Sequence, residues 1–334
     1  MLAPYDLDVS PMSFDFAWFL WRCQLAANGK PVHVMIIPGK RDGWRTGDWK
    51  PITDAEREWR INHVLIPLIG MAGMTHTVCP ARSFAKGWTS RDGVVMVPEP
   101  WNEENPKAVY GPHEGLRAFR DGKKTGWRAS DRARQHVFSW LKEYIKGDGP
   151  IVSITLRETH TLTRNSSLGA WVEAADMLRR DGFRVIFIRD TEKMNERFPW
   201  DFPVAPLAAC DLDIRCALYQ MAHLNIGRNG GPIYLPAFLD ANYLIFGILA
   251  DPYEENGVKH VTPTPGMMQR FGMPIGSNIH LDDPKKRMVW KPDTDPKVIH
   301  AEVMKAFEPP PTPVPAIPPP ILPKLPPIYV PVPA

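Results

Sequence analysis

Hydrophobic and polar positions alternate in two rhythms along this chain, and its second half keeps them more regularly than its first. Short apolar runs at Ile151–Arg157, Phe183–Arg189, His223–Gly227 and Tyr243–Ile248 read as buried strands. Between them, apolar residues return every third or fourth position. Leu168, Trp171, Val172, Ala175 and Leu178 predict a helix over 168–180, stopped by Gly182. Ile214, Ala217, Leu218 and Met221 predict a second helix, capped by Asp211. Arg228–Gly231 then reads as a tight loop, and Pro232–Leu239 as a helix with proline at its favoured first position. Strands alternating with helices predict right-handed crossovers and a parallel sheet.

The first half begins in the same way and then loses its pattern. Tyr5–Ser10 is a short strand, followed by a helix opened by Ser13, carrying Phe16, Phe19, Leu20 and Cys23, and ended by Asn28-Gly29. Val32–Ile37 is a strand and Lys40–Lys50 a polar loop. Thr53 with Glu56 forms a capping box for a helix running towards Ile66, and Thr75–Cys79 is a further strand. Residues 80–128, dense in Gly, Pro and Trp, give no assignable element. Ser130 caps a helix with Ala133, Val137, Trp140, Leu141 and Tyr144 on one face, and Gly147-Asp148-Gly149-Pro150 marks a boundary. The chain beyond Asp251 reads as loop until Asp295-Pro296 opens a last helix through Ile299, Val303 and Phe307. Residues 309–334 hold 13 prolines in 26 positions, a composition that predicts an extended, disordered tail outside the fold. Within the tail, Pro315-Ala316-Ile317-Pro318 fits a PxxP docking pattern, as would any segment this rich in proline.

Composition narrows the class. With 334 residues, 44% hydrophobic and 23% charged, the chain is long enough for two ordinary globular domains. A formal charge of +3 with the basic residues dispersed argues against a nucleic-acid partner. The four cysteines, Cys23, Cys79, Cys210 and Cys216, show neither CxxC nor zinc spacing; Cys23 and Cys216 fall on apolar helix stripes and read as buried free thiols, which fits a reducing cytoplasm. Neither a signal peptide nor an apolar run long enough to span a bilayer is evident, which leaves room for a peripheral membrane contact.

In a parallel α/β sheet, ligands gather beyond the C-terminal strand ends, so chemistry is sought there. After the first strand of the regular half come Arg157, Glu158, Thr159 and His160, leading to Arg164 and Asn165. A guanidinium at such a place matches phosphate oxygens, and a solvated or ion-paired arginine is the structural alternative. Arg228-Asn229-Gly230-Gly231-Pro232 joins a strand to a helix. Glycines there would let the backbone approach an anion, or would simply make a tight turn. Asp190, with Glu192 near it, could accept hydrogen bonds from ribose hydroxyls or cap its loop. Three DxD pairs occur, Asp6-Leu7-Asp8, Asp211-Leu212-Asp213 and Asp293-Thr294-Asp295. Helix capping accounts for the latter two, so no metal site is proposed.

The run Asp211-Leu212-Asp213, Ala217-Leu218, Met221-Ala222, Asn225-Ile226-Gly227, Asn229-Gly230-Gly231-Pro232, Leu235, Phe238-Leu239 and Leu244-Ile245-Phe246-Gly247 resembles the donor-binding half of GT-B glycosyltransferases of the heptosyltransferase type. Ile151–Arg157 with Arg164-Asn165 is similar to the strand-plus-arginine element of the α-1,6-fucosyltransferase type. The resemblance implies two facing Rossmann-like domains. An acceptor domain would span 1–148, a nucleotide-sugar domain 149–294, and a last helix, 295–308, would brace the first domain. It implies metal-independent transfer from a nucleotide-diphosphate sugar, GDP- or ADP-linked, to a glycan or other hydroxyl acceptor, with no cofactor beyond the donor. Arg157, Arg164, Asn165, Asp190, Asn229, Gly230 and Gly231 would hold the donor, Arg157 also stabilising the departing diphosphate. Asp15 would be the base, although a carboxylate at a helix start has a dipole role as well. The sequence departs from the pattern at Gly230-Gly231, where an acidic/hydroxyl pair is usual, at Thr155, where histidine is usual, and after Arg157, where no aspartate follows. Those departures admit a non-catalytic binding or assembly protein. A sugar-nucleotide epimerase would need two carboxylates and a histidine converging on the sugar.

Overall fold

The computed structural model describes residues 1–39, 53–109, 111–159, 164–247, 253–255, 258–260, 269, 272–281 and 283–308. The Lys40–Lys50 loop, His160, Ile248 and the 309–334 tail lie outside the described residues. The first half builds a parallel sheet in the order β1 (Leu2–Asp6), β2 (His33–Ile37), β3 (Thr75–Val78). Helix α1 (Phe16–Ala27) connects the first two strands and ends at Asn28 in the left-handed region, φ 48°. The Thr53 side chain accepts the Glu56 N–H at 3.1 Å and starts α2 (Asp54–Arg60), which runs through a π-helical turn at Ile61–Leu65 into α3 (Ile66–Met71).

Two expectations for this half change. The opening strand is Leu2–Asp6 rather than Tyr5–Ser10, because the chain turns at residues 7–9, where Ser10 N–H bonds back to the Asp6 carbonyl at 2.9 Å. The stretch 80–128 contains two helices, α4 (Arg82–Thr89) and α5 (His113–Arg120). Neither begins with a side-chain cap, so the usual local start signal is missing from both.

The second half is a five-stranded, wholly parallel sheet. Its strands are β4 (Ile151–Thr155), β5 (Arg184–Ile188), β6 (Leu224–Arg228), β7 (Tyr243–Phe246) and, beyond a small antiparallel pair β8 (Tyr253–Glu255) and β9 (Val258–His260), β10 (Lys286–Val289). Their order across the sheet is β10-β7-β6-β4-β5, so the winding reverses between β4 and β6. Strand β10 falls where the sequence read as loop. It opens with Lys286 and Arg287 and takes only its last two residues, Met288 and Val289, into the core.

Helix α6 (Asp131–Tyr144) starts at Ser130, whose Oγ accepts the Ala133 N–H at 3.1 Å. Helix α7 is Leu168–Arg180, as its periodicity predicts. After α8 (Leu207–Cys210), Asp211 accepts N–H bonds from Asp213 and Ile214 to open α9 (Leu212–Met221). The expected helix over Pro232–Leu239 is a 3₁₀ turn, Gly231–Tyr234, followed by the one-turn α10 (Leu235–Phe238). The cause is Pro236. It has no N–H to give the Pro232 carbonyl, and the Leu235 N–H takes that carbonyl at 3₁₀ spacing instead. The last helix, α11 (Pro296–Ala306), opens on an Asp295 cap. Expected to brace the first domain, it instead lays Ile299, Val303, Ala306 and the adjacent Phe307 into the core of the second sheet, beside α7.

One core is continuous across the two halves. Trp18 and Trp21 of α1, Phe119 of α5 and Trp127 meet Phe238 of α10 and one another with ring centroids 4.8–5.9 Å apart, all of them buried. Around this cluster, the Arg120 guanidinium donates to the carbonyls of Gly272 and Asn278, Ser130 donates to Asp213, and Lys124 pairs with Asp240. Removing that much aromatic surface from water binds the halves into one cooperative unit. Calorimetric melting should therefore show a single transition; two resolved transitions would mean the seam is weak.

Candidate functional site

The winding reversal places the loops after β4 and β6 side by side, where an open parallel sheet forms its ligand crevice. Three arginines converge there. Arg157 follows β4, Arg164 lies on the same loop, and Arg228 ends β6. Burial pulls the Arg157 pKa down to about 10, with Arg164 and Arg228 adding like-charge repulsion that Asp190 partly offsets. Arg164 is lowered as well, by burial first, with Asp15 and Tyr234 opposing and Arg228 adding to it. The Nε atoms of Arg157 and Arg164 are shielded from solvent and have no hydrogen-bond partner among the described residues. Like-charged guanidiniums gathered in partial burial with donors unspent make a site for an anion.

The glycine loop has a different geometry from the one expected. Gly230 is extended, with φ −174°, a conformation open to any residue. What it lacks is room, since a Cβ there would lie 2.8 Å from Arg157 Nη1. A Cβ on Gly231 would lie 2.4 Å from the ring of Phe14, a residue of the first half. These glycines admit the Arg157 guanidinium and the Phe14 ring, so alanine at 231 is not the mild change that its place before proline suggests. Gly231→Ala should cost about 1–3 kcal/mol of stability through overpacking, and should cost little in a Phe14→Ala background. An additive double mutant would contradict the contact. The Asn229 backbone N–H donates to the Phe246 carbonyl at 2.8 Å and so belongs to the sheet ladder. The sustained helix whose start was to face this loop is replaced by the 3₁₀ turn and α10.

The other candidates separate clearly. Asn165 closes its own loop, its Oδ1 accepting the Thr159 N–H at 2.9 Å and its Nδ2 donating to the Thr159 carbonyl at 2.7 Å. Asp190 Oδ2 accepts the Glu158 N–H at 2.6 Å. Glu158 itself forms a two-pronged ion pair with Arg189, at 2.6 and 2.9 Å. Thr155, where the resemblance has histidine, points into the core and bonds the Tyr219 hydroxyl at 2.8 Å. Asp15, exposed and accepting the Ser13 hydroxyl at 2.8 Å, lies close enough to Arg164 and Tyr234 to act on both electrostatically. It is thus a first-half carboxylate near Arg164. Tyr234, which sequence reasoning passed over, hydrogen-bonds with Asn229 and carries a pKa raised by burial and by Asp15. Its one signal was a place on the turn after the glycine loop.

The DxD carboxylates serve other residues. Asp6 is buried, grips both Arg82 Nη atoms at 2.8 Å and accepts Trp101 Nε1, while Asp8 pairs with Arg82 at 3.0 Å. Asp211 and Asp295 cap helices, and Asp213 holds Ser130. Asp293, read as a helix-start residue, is instead buried and bonded to Trp171 and Arg228.

No protein-family model and no curated protein matches the chain. Solved structures resemble it loosely. The glycosyl transferase family 9 protein from Veillonella parvula DSM 2008 aligns over 73% of this chain and 79% of its own, at 11% identity and a TM-score of 0.39. E. coli heptosyltransferase WaaC with ADP-2-deoxy-2-fluoro heptose aligns over 81% and 98%, at 14% identity and a TM-score of 0.33. The wall teichoic acid polymerase TagF aligns over 91% and 79%, at 7% identity and a TM-score of 0.31. At such values the residues of this chain have to carry the functional reading themselves.

Proposed function

We propose that the chain is a glycosyltransferase that takes its sugar from a nucleoside-diphosphate donor. The observation that carries this reading is the arginine cluster at the β4/β6 reversal, with unspent buried donors on Arg157 and Arg164 and with Asp15 opposite. In transfer, the bond from the anomeric carbon to the diphosphate oxygen breaks as an acceptor hydroxyl oxygen bonds that carbon. The electron pair leaves with the diphosphate, whose growing charge Arg157 and Arg164 stabilise. The hydroxyl proton goes to a base, the role this reading gives to Asp15. Asn165 and Asp190 support the loop that carries the arginines, and Gly230 leaves space for Arg157.

The reading is tested by incubating the protein with UDP-, GDP- and ADP-sugars and following nucleoside diphosphate release with and without hydroxyl acceptors. One donor class should turn over. Because the DxD carboxylates are committed to protein donors, turnover should also persist in excess EDTA. Release of no diphosphate from any donor class argues against transfer, and loss of turnover on chelation, restored by Mn²⁺ or Mg²⁺, against the metal-free reading.

A further inference from the structure

Asp293 is 2% exposed, on the segment between β10 and α11. Burying a carboxylate is costly unless its partners repay the lost hydration. Helix capping does not explain it, because Asp295 is the residue that caps α11. Its oxygens have other partners. Oδ2 accepts Nε1 of Trp171, a wholly buried side chain of α7, at 2.7 Å. Oδ1 accepts Nη1 of Arg228 at 2.9 Å. The same Nη1 donates to the Asn165 carbonyl at 2.8 Å, on the loop that holds Arg157 and Arg164.

We infer that Asp293 is a positioning residue of the anion site, fixing Arg228 through a Trp171–Asp293–Arg228–Asn165 relay and thereby setting how the arginines meet a diphosphate. The inference rests on the diphosphate reading above. Arg157 and Arg164 both repel Arg228, whose side chain is 13% exposed and has little access to water without disturbing the Asn165 loop. The Asp293 carboxylate holds it against that repulsion, and Trp171 holds the carboxylate. A ligand-site arginine is thus tied to the packing of α7.

Calorimetric titration with inorganic pyrophosphate and with ADP and GDP tests this, in the wild type and in variants. Asp293→Asn should weaken binding about tenfold, and Trp171→Phe, which keeps an aromatic ring and removes the N–H donor, by a few-fold. In an Arg228→Gln background the Asp293→Asn effect should vanish, a coupling that general loosening of the fold would not produce. Unchanged or tighter binding by Asp293→Asn would overturn the inference, as would an undiminished loss in the Arg228→Gln background. Should Asp293→Asn fail to fold, Trp171→Phe decides, and wild-type affinity in that variant counts against the relay. A wild type that binds none of the probes refutes the diphosphate reading itself, whereas binding that ignores Asp293 refutes only the relay.

Discussion

Arg157→Ala is expected to weaken nucleoside-diphosphate binding by about 1.5–3 kcal/mol, roughly 10- to 150-fold, while leaving the melting temperature close to that of the wild type. The loss follows from removing a charge-assisted donor that has no partner among the described residues. The unchanged stability follows from where Arg157 sits. Its guanidinium is partly buried beside Arg164 and Arg228, so truncation relieves repulsion and offsets the packing lost against Gly230. The backbone anchors survive, because Ser166 bonds the Arg157 N–H through its hydroxyl and the Arg157 carbonyl through its own N–H, each at 2.9 Å. Affinity lost at constant stability distinguishes a ligand-binding arginine from a structural one. Wild-type affinity in the variant, or a fall of several degrees in Tm, contradicts the assignment.

Glu302→Ala should destabilise the protein by about 3 kcal/mol. Glu302 of α11 is 2% exposed and meets Lys291 Nζ at 2.6 Å, Arg287 Nη1 at 2.7 Å and Lys305 Nζ at 3.0 Å. Burial alone would raise its pKa, but those three cations prevail and hold it at about 2. The cost falls at the low end of the range for a broken buried pair, since Lys291 and Lys305 are each about half exposed and can turn to water. Because the folded pKa lies below the ordinary value of 4.5, the contribution is complete above that value and is lost as pH falls towards about 2. Urea denaturation of wild type and variant should therefore differ by about 3 kcal/mol at pH 7 and converge in strong acid. A constant difference across that range would mean the carboxylate charge is not the source.

These residues differ in how far the sequence reveals them. Leu168–Arg180 could be read to its ends because an apolar stripe, a glycine stop and adjoining strands agree. The caps at Thr53, Ser130, Asp211 and Asp295 are local hydrogen bonds, and their spacing is visible in the sequence. Arg157 and Arg164 could be singled out because a strand end is a local property. What stayed hidden was set by distant partners. Gly230 and Gly231 are shaped by Arg157 and Phe14, partners that the loop's own sequence does not reveal. Asp293 finds its partners 65 and 122 residues away, and no spacing rule reaches that far. Helices α4 and α5 lack the caps and the long repeat that announce a helix, and β10 spends half its short length on cations.

Whether the arginine cluster at the β4/β6 reversal, through Arg157 and Arg164, holds a diphosphate is read out by a calorimetric titration. A nucleoside, its monophosphate and its diphosphate would be compared for adenosine, guanosine and uridine at two salt concentrations. For one base, affinity should climb at each added phosphate, with a gain from monophosphate to diphosphate of at least about tenfold that shrinks as salt rises. Equal affinity for nucleoside and diphosphate, or no binding by any member of the series, would contradict it.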